Sequence, residues 1–252
     1  MHSMKNRRSG RKGQLALKLD VSKAYDRAEW SFLKGILLKL GFPIFWVDLI
    51  IGCATTPSYA VLINGKPYGH IIPSRGLWQG DLLSLYLFFL YAEGFTSLLQ
   101  KAELEGQIHG VSICKRAPTI SYLLFVDDSL LFCHANQNEV TEINEILQLY
   151  AEASGQCINM EKSSIFFNSN TNQQQHLTMK NLFGVREVQR FESYFGLPTL
   201  IGRAKYQTFF VLEDRVWKKL QGWKGKLLFR VGKEILIKVV AQSILTYTMG
   251  VF

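Results

Sequence analysis

The chain has 252 residues, 48% of them hydrophobic, which suits one large globular domain, or one plus a small one, with a real core. Its formal net charge of +9 suggests a polyanionic partner, either nucleic acid or an acidic membrane. The spacing of Cys53, Cys114, Cys133 and Cys157 excludes a zinc-type pair, and they read as buried thiols in a reducing compartment. No run is apolar over the roughly 18 residues of a membrane span. Lys18 and Asp20 follow the basic N-terminus too closely for a secretory leader.

In chain order, residues 1–13 carry five Lys or Arg and no hydrophobic period. They are expected to form a solvated arm, with a nuclear address or nucleic-acid contact as the alternative. Leu15, Leu17 and Leu19 then alternate with Ala16, Lys18 and Asp20, the period of a strand, with Asp20 near its end. Trp30, Leu33, Leu37 and Leu40 have helical spacing, and Gly41 and Pro43 are stop signals. A second helix is expected over residues 45–54. The stretch YAVLINGKPYGHII predicts a hairpin turning at Asn64-Gly65.

The polar loop PSRGLWQGD leads into a long apolar helix over about residues 82–100, apolar nearly all round and so expected to be buried under other elements. TISYLLF and SLLFCH predict the next hairpin. Asn138 opens a helix that Gly155 closes. CINMEKSSIFF reads as a strand and QQQHLTMKNLFGV as a short helix. From Lys205 the pattern is helical and rich in Trp and Lys, so a boundary falls near residue 200. The expected class is α+β: a small, mostly antiparallel sheet backed by helices, then a helical unit.

The stretch SYLLFVDDSLLF seats two like charges in an apolar run. A hairpin tip explains the tolerance of charge, because both aspartates can reach solvent there. It does not explain the choice of two anions. If the strand of Asp20 neighbours this hairpin, Asp20 and Asp127 converge. Two unit charges about 4 Å apart repel by roughly 4 kcal/mol at an effective dielectric of about 20. A divalent cation reverses that sign, and oxygen ligands select Mg²⁺.

The segments LKLDVSKAYDRAEWSFL, PSRGLWQGDLLSLYLFFLYAEG, SYLLFVDDSLLF, SGQCINMEKS and YFGLP, in this order, resemble the palm motifs of reverse transcriptases, in particular those of plant non-LTR retrotransposons. GWKGKLLFRVGKEILIKVVAQSILTYTM resembles the thumb-like region of the same elements. The resemblance implies a polymerase palm over residues 14–200 and a thumb-like or connection region over 201–252. It implies an RNA-directed DNA polymerase that uses two Mg²⁺ ions, with Mn²⁺ as substitute, an RNA template, a DNA primer and dNTPs. It further implies that Asp20, the Val21 carbonyl and Asp127 hold the metals, with Asp128 as the less fixed partner of Asp127. Tyr25 would close over the incoming sugar and favour deoxynucleotides. Gln79 and Gly80 would line the nucleotide loop, with Arg75 near phosphate or template. Lys162 would face the leaving pyrophosphate, and Tyr194 and Gly196 the primer backbone. An intracellular protein, nuclear or cytoplasmic, with no membrane partner is expected.

Trp78 stands where relatives usually carry a basic residue, and Leu82 and Leu85 replace common prolines. Only residues 1–14 precede the first strand, so the fingers region is expected to be mostly absent and polymerisation impaired. A nucleic-acid-binding remnant without turnover is therefore the alternative reading, and an intron-maturase type enzyme a further one.

Overall fold

The computed structural model describes residues 13–112, 117–125, 128–189, 193–194, 197–198, 205–224 and 229–242. The basic arm, the hairpin turn at Val126–Asp127, Cys114, Gly196 and the boundary near residue 200 lie outside them. The chain divides into two compact units at Gln189/Arg190.

In the first unit a five-stranded sheet runs in the order β6-β7-β1-β8-β9. Its strands are β1 (Gln14–Asp20), β6 (Tyr122–Phe125), β7 (Asp128–His134), β8 (Ser164–Phe167) and β9 (Arg186–Glu187). All pairings are antiparallel except β8 with β9. Central β1 alternates as expected. Leu15, Leu17 and Leu19 are buried on one face with Leu131, Cys133 and Ile165. On the other face Ala16 lies in register between Phe132 and Phe166, so two phenyl rings flank one methyl.

Three helices back the leucine face: α3 (Leu82–Leu104), α4 (Gln137–Ser154) and α5 (Gln173–Phe183). They bury Phe95, Leu99, Val140, Ile143, Leu147, Met179 and Phe183 against it. Each such side chain contributes roughly 1.5–3 kcal/mol when fully buried. Caps set the helix ends. Asn136 accepts from the Glu139 N–H at 2.9 Å, and Gly155 closes α4 in the left-handed conformation (φ 74°). Asn172 and Gln175 form a reciprocal capping box on α5. The α4 cap is Asn136 rather than Asn138, because N-x-x-E lets the cap and Glu139 bond each other.

A second cluster joins α1 (Trp30–Lys39), α2 (Ile44–Thr55) and the first half of α3 through Leu33, Leu37, Val47, Leu87, Phe88 and Tyr91. Beside it stands the hairpin of β2 (Tyr59–Ile63) and β3 (Lys66–Ile71), turning at Asn64 (φ 51°) and Gly65 (φ 78°). Two positive φ values match the strand twist of a two-residue turn. A short pair, β4 (Val111–Ser112) with β5 (Thr119–Ile120), completes this unit. The second unit holds β10 (Ser193–Tyr194) paired with β11 (Leu197–Pro198), then α6 (Lys205–Lys224) and α7 (Arg230–Leu236), which runs on into a π-helical turn at Ile237–Ala241.

Three further expectations need correction. Helix α3 is not buried all round: Leu82 is 80% and Tyr86 65% exposed, and Leu85 and Phe89 are exposed too. Among the described residues, α1 and α2 cover only the stripe of Leu87, Phe88 and Tyr91 on this half. By length and hydropathy (mean 1.6) α3 is also apolar enough to cross a membrane, although its inner stripe enters both clusters. Second, Cys53 and Cys157 are exposed and only Cys133, of those described, is buried. Third, CINMEKSSIFF is a strand only over Ser164–Phe167. Its first half makes one bridge, Val21 to Ile158, and then turns.

Candidate active site

Asp20 ends β1, and its register partner on β7 is Asp128. The backbone bonds of Asp20 point to the other neighbour: its N–H donates to Ser163 Oγ (3.2 Å) and its C=O accepts from the Asn159 N–H (2.8 Å). Asp20 and Asp128 are therefore a non-hydrogen-bonded pair, the kind whose Cα atoms approach to about 4.5 Å. Like charges set directly opposite destabilise such a pair. Asp127, the residue before Asp128, lies outside the described residues.

The Ser22 N–H donates to the Cys157 carbonyl (2.8 Å), so bonds from Asp20 and Ser22 flank the Val21–Ile158 bridge. Val21's own C=O consequently points away from Ile158, toward the β7 side. The donor set here is carboxylate and carbonyl oxygen, which suits a hard divalent cation. Lys162 is exposed on the Asn159–Ser163 turn that holds Asp20, its N–H donating to Asn159 Oδ1 (3.2 Å).

The turn after β1 is stapled to the loop before α3. The Leu77 N–H donates to the Tyr25 carbonyl and the Gly76 N–H to the Ala28 carbonyl, both at 2.8 Å, while the Trp30 indole donates to the Gly76 carbonyl (2.7 Å). Gly76 has φ +97°, and a Cβ there would stand 2.9 Å from the Asp26 carbonyl oxygen. Only glycine allows both the conformation and the approach. The Tyr25 ring stacks on Phe88 of α3, centroids 4.6 Å apart. Arg75 pairs with Glu29 (3.2 Å). Gln79 and Gly80 are exposed, Gly80 with φ +105°. Trp78 stacks on Tyr59, centroids 4.3 Å apart. Asp81 caps α3 through the Ser84 N–H (3.2 Å), so the helix starts at Leu82 without a proline.

Further residues that the sequence reading passed over hold this turn. Gln156 donates to the Ala24 carbonyl (2.9 Å). Tyr91 donates its hydroxyl to the Ser154 carbonyl and accepts the Glu29 N–H (3.3 Å). Burial pushes the Tyr91 phenol above its ordinary range. The structure thus brings Asp20, Val21, Asp128 and the Lys162 turn together. Tyr25 lies on the turn after β1, and Arg75, Gln79 and Gly80 lie on the loop stapled to it. Tyr194 belongs to the second unit, and Gly196 lies outside the described residues.

Comparison with known proteins bears on the family and the fold. The family model described as reverse transcriptase (RNA-dependent DNA polymerase) matches residues 1–196. An uncharacterized mitochondrial protein of Arabidopsis thaliana is 46% identical over 68 residues, 27% of this chain. The uncharacterized 149 kDa protein of transposon TX1 of Xenopus laevis is 26% identical over 244 residues, 92% of this chain. The chain spans 56% of the first relative's length and 17% of the second's. Among solved structures, apo telomerase from Candida tropicalis truncated from its C-terminal domain superposes with a TM-score of 0.50 at 13% identity, over 68% of this chain and 34% of that one. That likeness is one of fold. With three quarters of its length matched by the family's own pattern, the chain belongs to the reverse transcriptase (RNA-dependent DNA polymerase) family.

Proposed function

We propose that this chain is the palm and thumb-like portion of a retrotransposon's RNA-directed DNA polymerase, which joins dNTPs to a DNA primer 3′-OH on an RNA template. The observation that carries the reading is the β1–β7 register, with Asp20 opposite Asp128, the residue that follows Asp127. Two carboxylate residues placed opposite each other suit a divalent cation, which offsets the repulsion between like charges. In this reading Asp20, the Val21 carbonyl and Asp127 hold two Mg²⁺ ions, Mn²⁺ replacing them, and Asp128 lies beside the pair. When bound, the ions stabilise charge on the attacking and leaving oxygens.

The chain's own residues do the rest. Tyr25, backed by Phe88, presents a fixed ring that a 2′-OH would strike, which selects deoxynucleotides. Gln79 hydrogen-bonds sugar or base from the exposed loop, and Gly80 lets its backbone approach. Arg75, itself exposed, exchanges its half-buried Glu29 partner for a phosphate at little cost. Lys162 neutralises or protonates the departing pyrophosphate. Tyr194 and Gly196 hold the primer backbone. The basic surface follows duplex phosphates and loosens with salt. Helix α3 serves as a core helix, with no membrane partner.

Primer extension on an RNA template with Mg²⁺ and dNTPs tests the proposal, comparing the chain with Asp127→Ala. Extension by the parent that the variant loses supports it. No extension by either, with salt-sensitive duplex binding retained, overturns catalysis and selects the alternative, a nucleic-acid-binding remnant.

A further inference from the structure

The β1–β7 ladder ends, opposite the aspartates, in a second cluster that polymerisation does not use. His134 is the last residue of β7, Glu139 lies in the first turn of α4, and His109 follows α3 in the loop before β4. Glu139 Oε2 accepts the backbone N–H groups of His109 (3.0 Å) and His134 (2.9 Å). These bonds fix the carboxylate so that Oε1 faces His109 Nδ1 (3.1 Å), His134 Nδ1 (3.0 Å) and Asn136 Nδ2 (2.9 Å). The imidazoles lie nearly parallel, centroids 5.2 Å apart, and one ligand atom from each of the three residues lies within 4.8 Å of the other two. Glu139 is only 4% exposed, yet His109 is at the surface, and an open cavity of about 560 Å³ reaches the cluster past Gly13, Gln137 and Gln175.

Five N–H groups thus converge on one carboxylate, which offers about four lone-pair sites. Three of them crowd Oε1. The crowding is relieved when the two Nδ1 protons leave and one cation takes their place. A tetrahedral ion with bonds of about 2.0–2.1 Å separates its ligands by roughly 3.3–3.4 Å. The two Oε1–Nδ1 spacings, 3.1 and 3.0 Å, need to open by only a few tenths of an ångström, and the two rings turn to bring their nitrogens to the same separation. Two imidazole nitrogens and one carboxylate oxygen suit a borderline cation, and a carboxylate whose second oxygen is pinned by backbone N–H groups is already oriented to receive it.

We propose that His109 Nδ1, His134 Nδ1 and Glu139 Oε1 bind one divalent cation of the Zn²⁺, Co²⁺ or Ni²⁺ class, with the fourth position open to the cavity. Each neutral ring then carries its proton on Nε2 instead of Nδ1, with no net proton released. The cation fastens the loop before β4, the end of β7 and the start of α4 to one point. That point lies about 20 Å along β1 from Asp20, at roughly 3.4 Å per residue, so it is separate from the aspartate end.

The test uses the untagged full chain titrated with Co²⁺. The expected result is one equivalent bound, the visible absorption of a four-coordinate site without thiolate charge transfer, and displacement by Zn²⁺ but not by equal Mg²⁺. His134→Gln keeps an N–H facing Oε1 and should weaken binding at least tenfold, as should His109→Gln at the surface. Cys53→Ser and Cys157→Ser should leave it unchanged. If His134→Gln does not fold, His109→Gln decides. A parent chain with no saturable absorption, or undiminished affinity in a folded histidine variant, overturns the proposal.

Discussion

The two ends of the β1–β7 ladder share their strands and their alternation, yet treat negative charge in opposite ways. At the far end β7 runs into the start of α4, and the chain supplies N–H groups from three segments to one carboxylate. Burial alone would raise Glu139's pKa. The His134 side chain and backbone, the His109 backbone and Asn136 outweigh it and hold the group down at about 2. At the near end the β1–β7 register sets Asp20 opposite Asp128, two carboxylate residues facing each other. One end neutralises its charge from within the fold, and the other, as proposed, from solution. What differs is the element that follows the strand, not the strand.

Five changes break or sharpen that contrast. Asp20→Ala should lower primer extension by at least ~10²–10³-fold, the scale of losing a main electrostatic group. Circular dichroism should show the variant folded, so that the loss is read per folded molecule. Glu139→Ala should do the reverse: a loss of ~3 kcal/mol in urea unfolding, since it strands buried N–H groups, with extension per folded molecule unchanged. Gly76→Ala should cost ~1–3 kcal/mol through strain and the contact with Asp26, and should raise the KM for dNTP as the loop lifts off the turn after β1.

Tyr91→Phe should cost about 1 kcal/mol. The folded phenol's pKa lies above its unfolded value of 10.0, so Tyr91 contributes stability fully present below that pH and lost as pH climbs through the folded value. The Phe variant should lose less stability than the parent in alkaline melts. Tyr86→Ser, on the exposed side of α3, should change stability by no more than ~0.5 kcal/mol. A larger loss, read with the oligomeric state by light scattering, would mean that this face is covered in solution.

Local order was readable from the sequence where the signal is local. The 15/17/19 alternation, the Asn64-Gly65 turn and the Gly155 stop are each set by a few adjacent residues. The α+β class follows from them, and the reverse transcriptase family from five motifs in order. The convergence of Asp20 with Asp127 was only conditional, because nothing within β1 names its neighbour, and the register partner is Asp128. Gly76 looked like any loop glycine until the Asp26 carbonyl stood against it. The N-x-x-E pattern at Asn136–Glu139 is a legible cap, but the two histidines that share its carboxylate come from separate segments and left no local trace. The outer face of α3 misled because composition records how apolar a helix is, not whether its neighbours cover it.

Central β1 also has a consequence in time. It lies early in the chain, yet its ladder partners are β7 and β8, at Asp128–His134 and Ser164–Phe167. Pairings of such separation form slowly, because a long loop must close before any contact rewards it. During synthesis the leucine strand has no ladder partner until half the chain has followed it, and no second partner until Phe167 is made. Until then it is an unpaired apolar segment, the kind of surface chaperones bind. The turn that holds the backbone of Asp20 at Asn159 and Ser163 is made later still, so a ribosome stalled before β7 should carry a nascent chain whose first strand has no ladder partner.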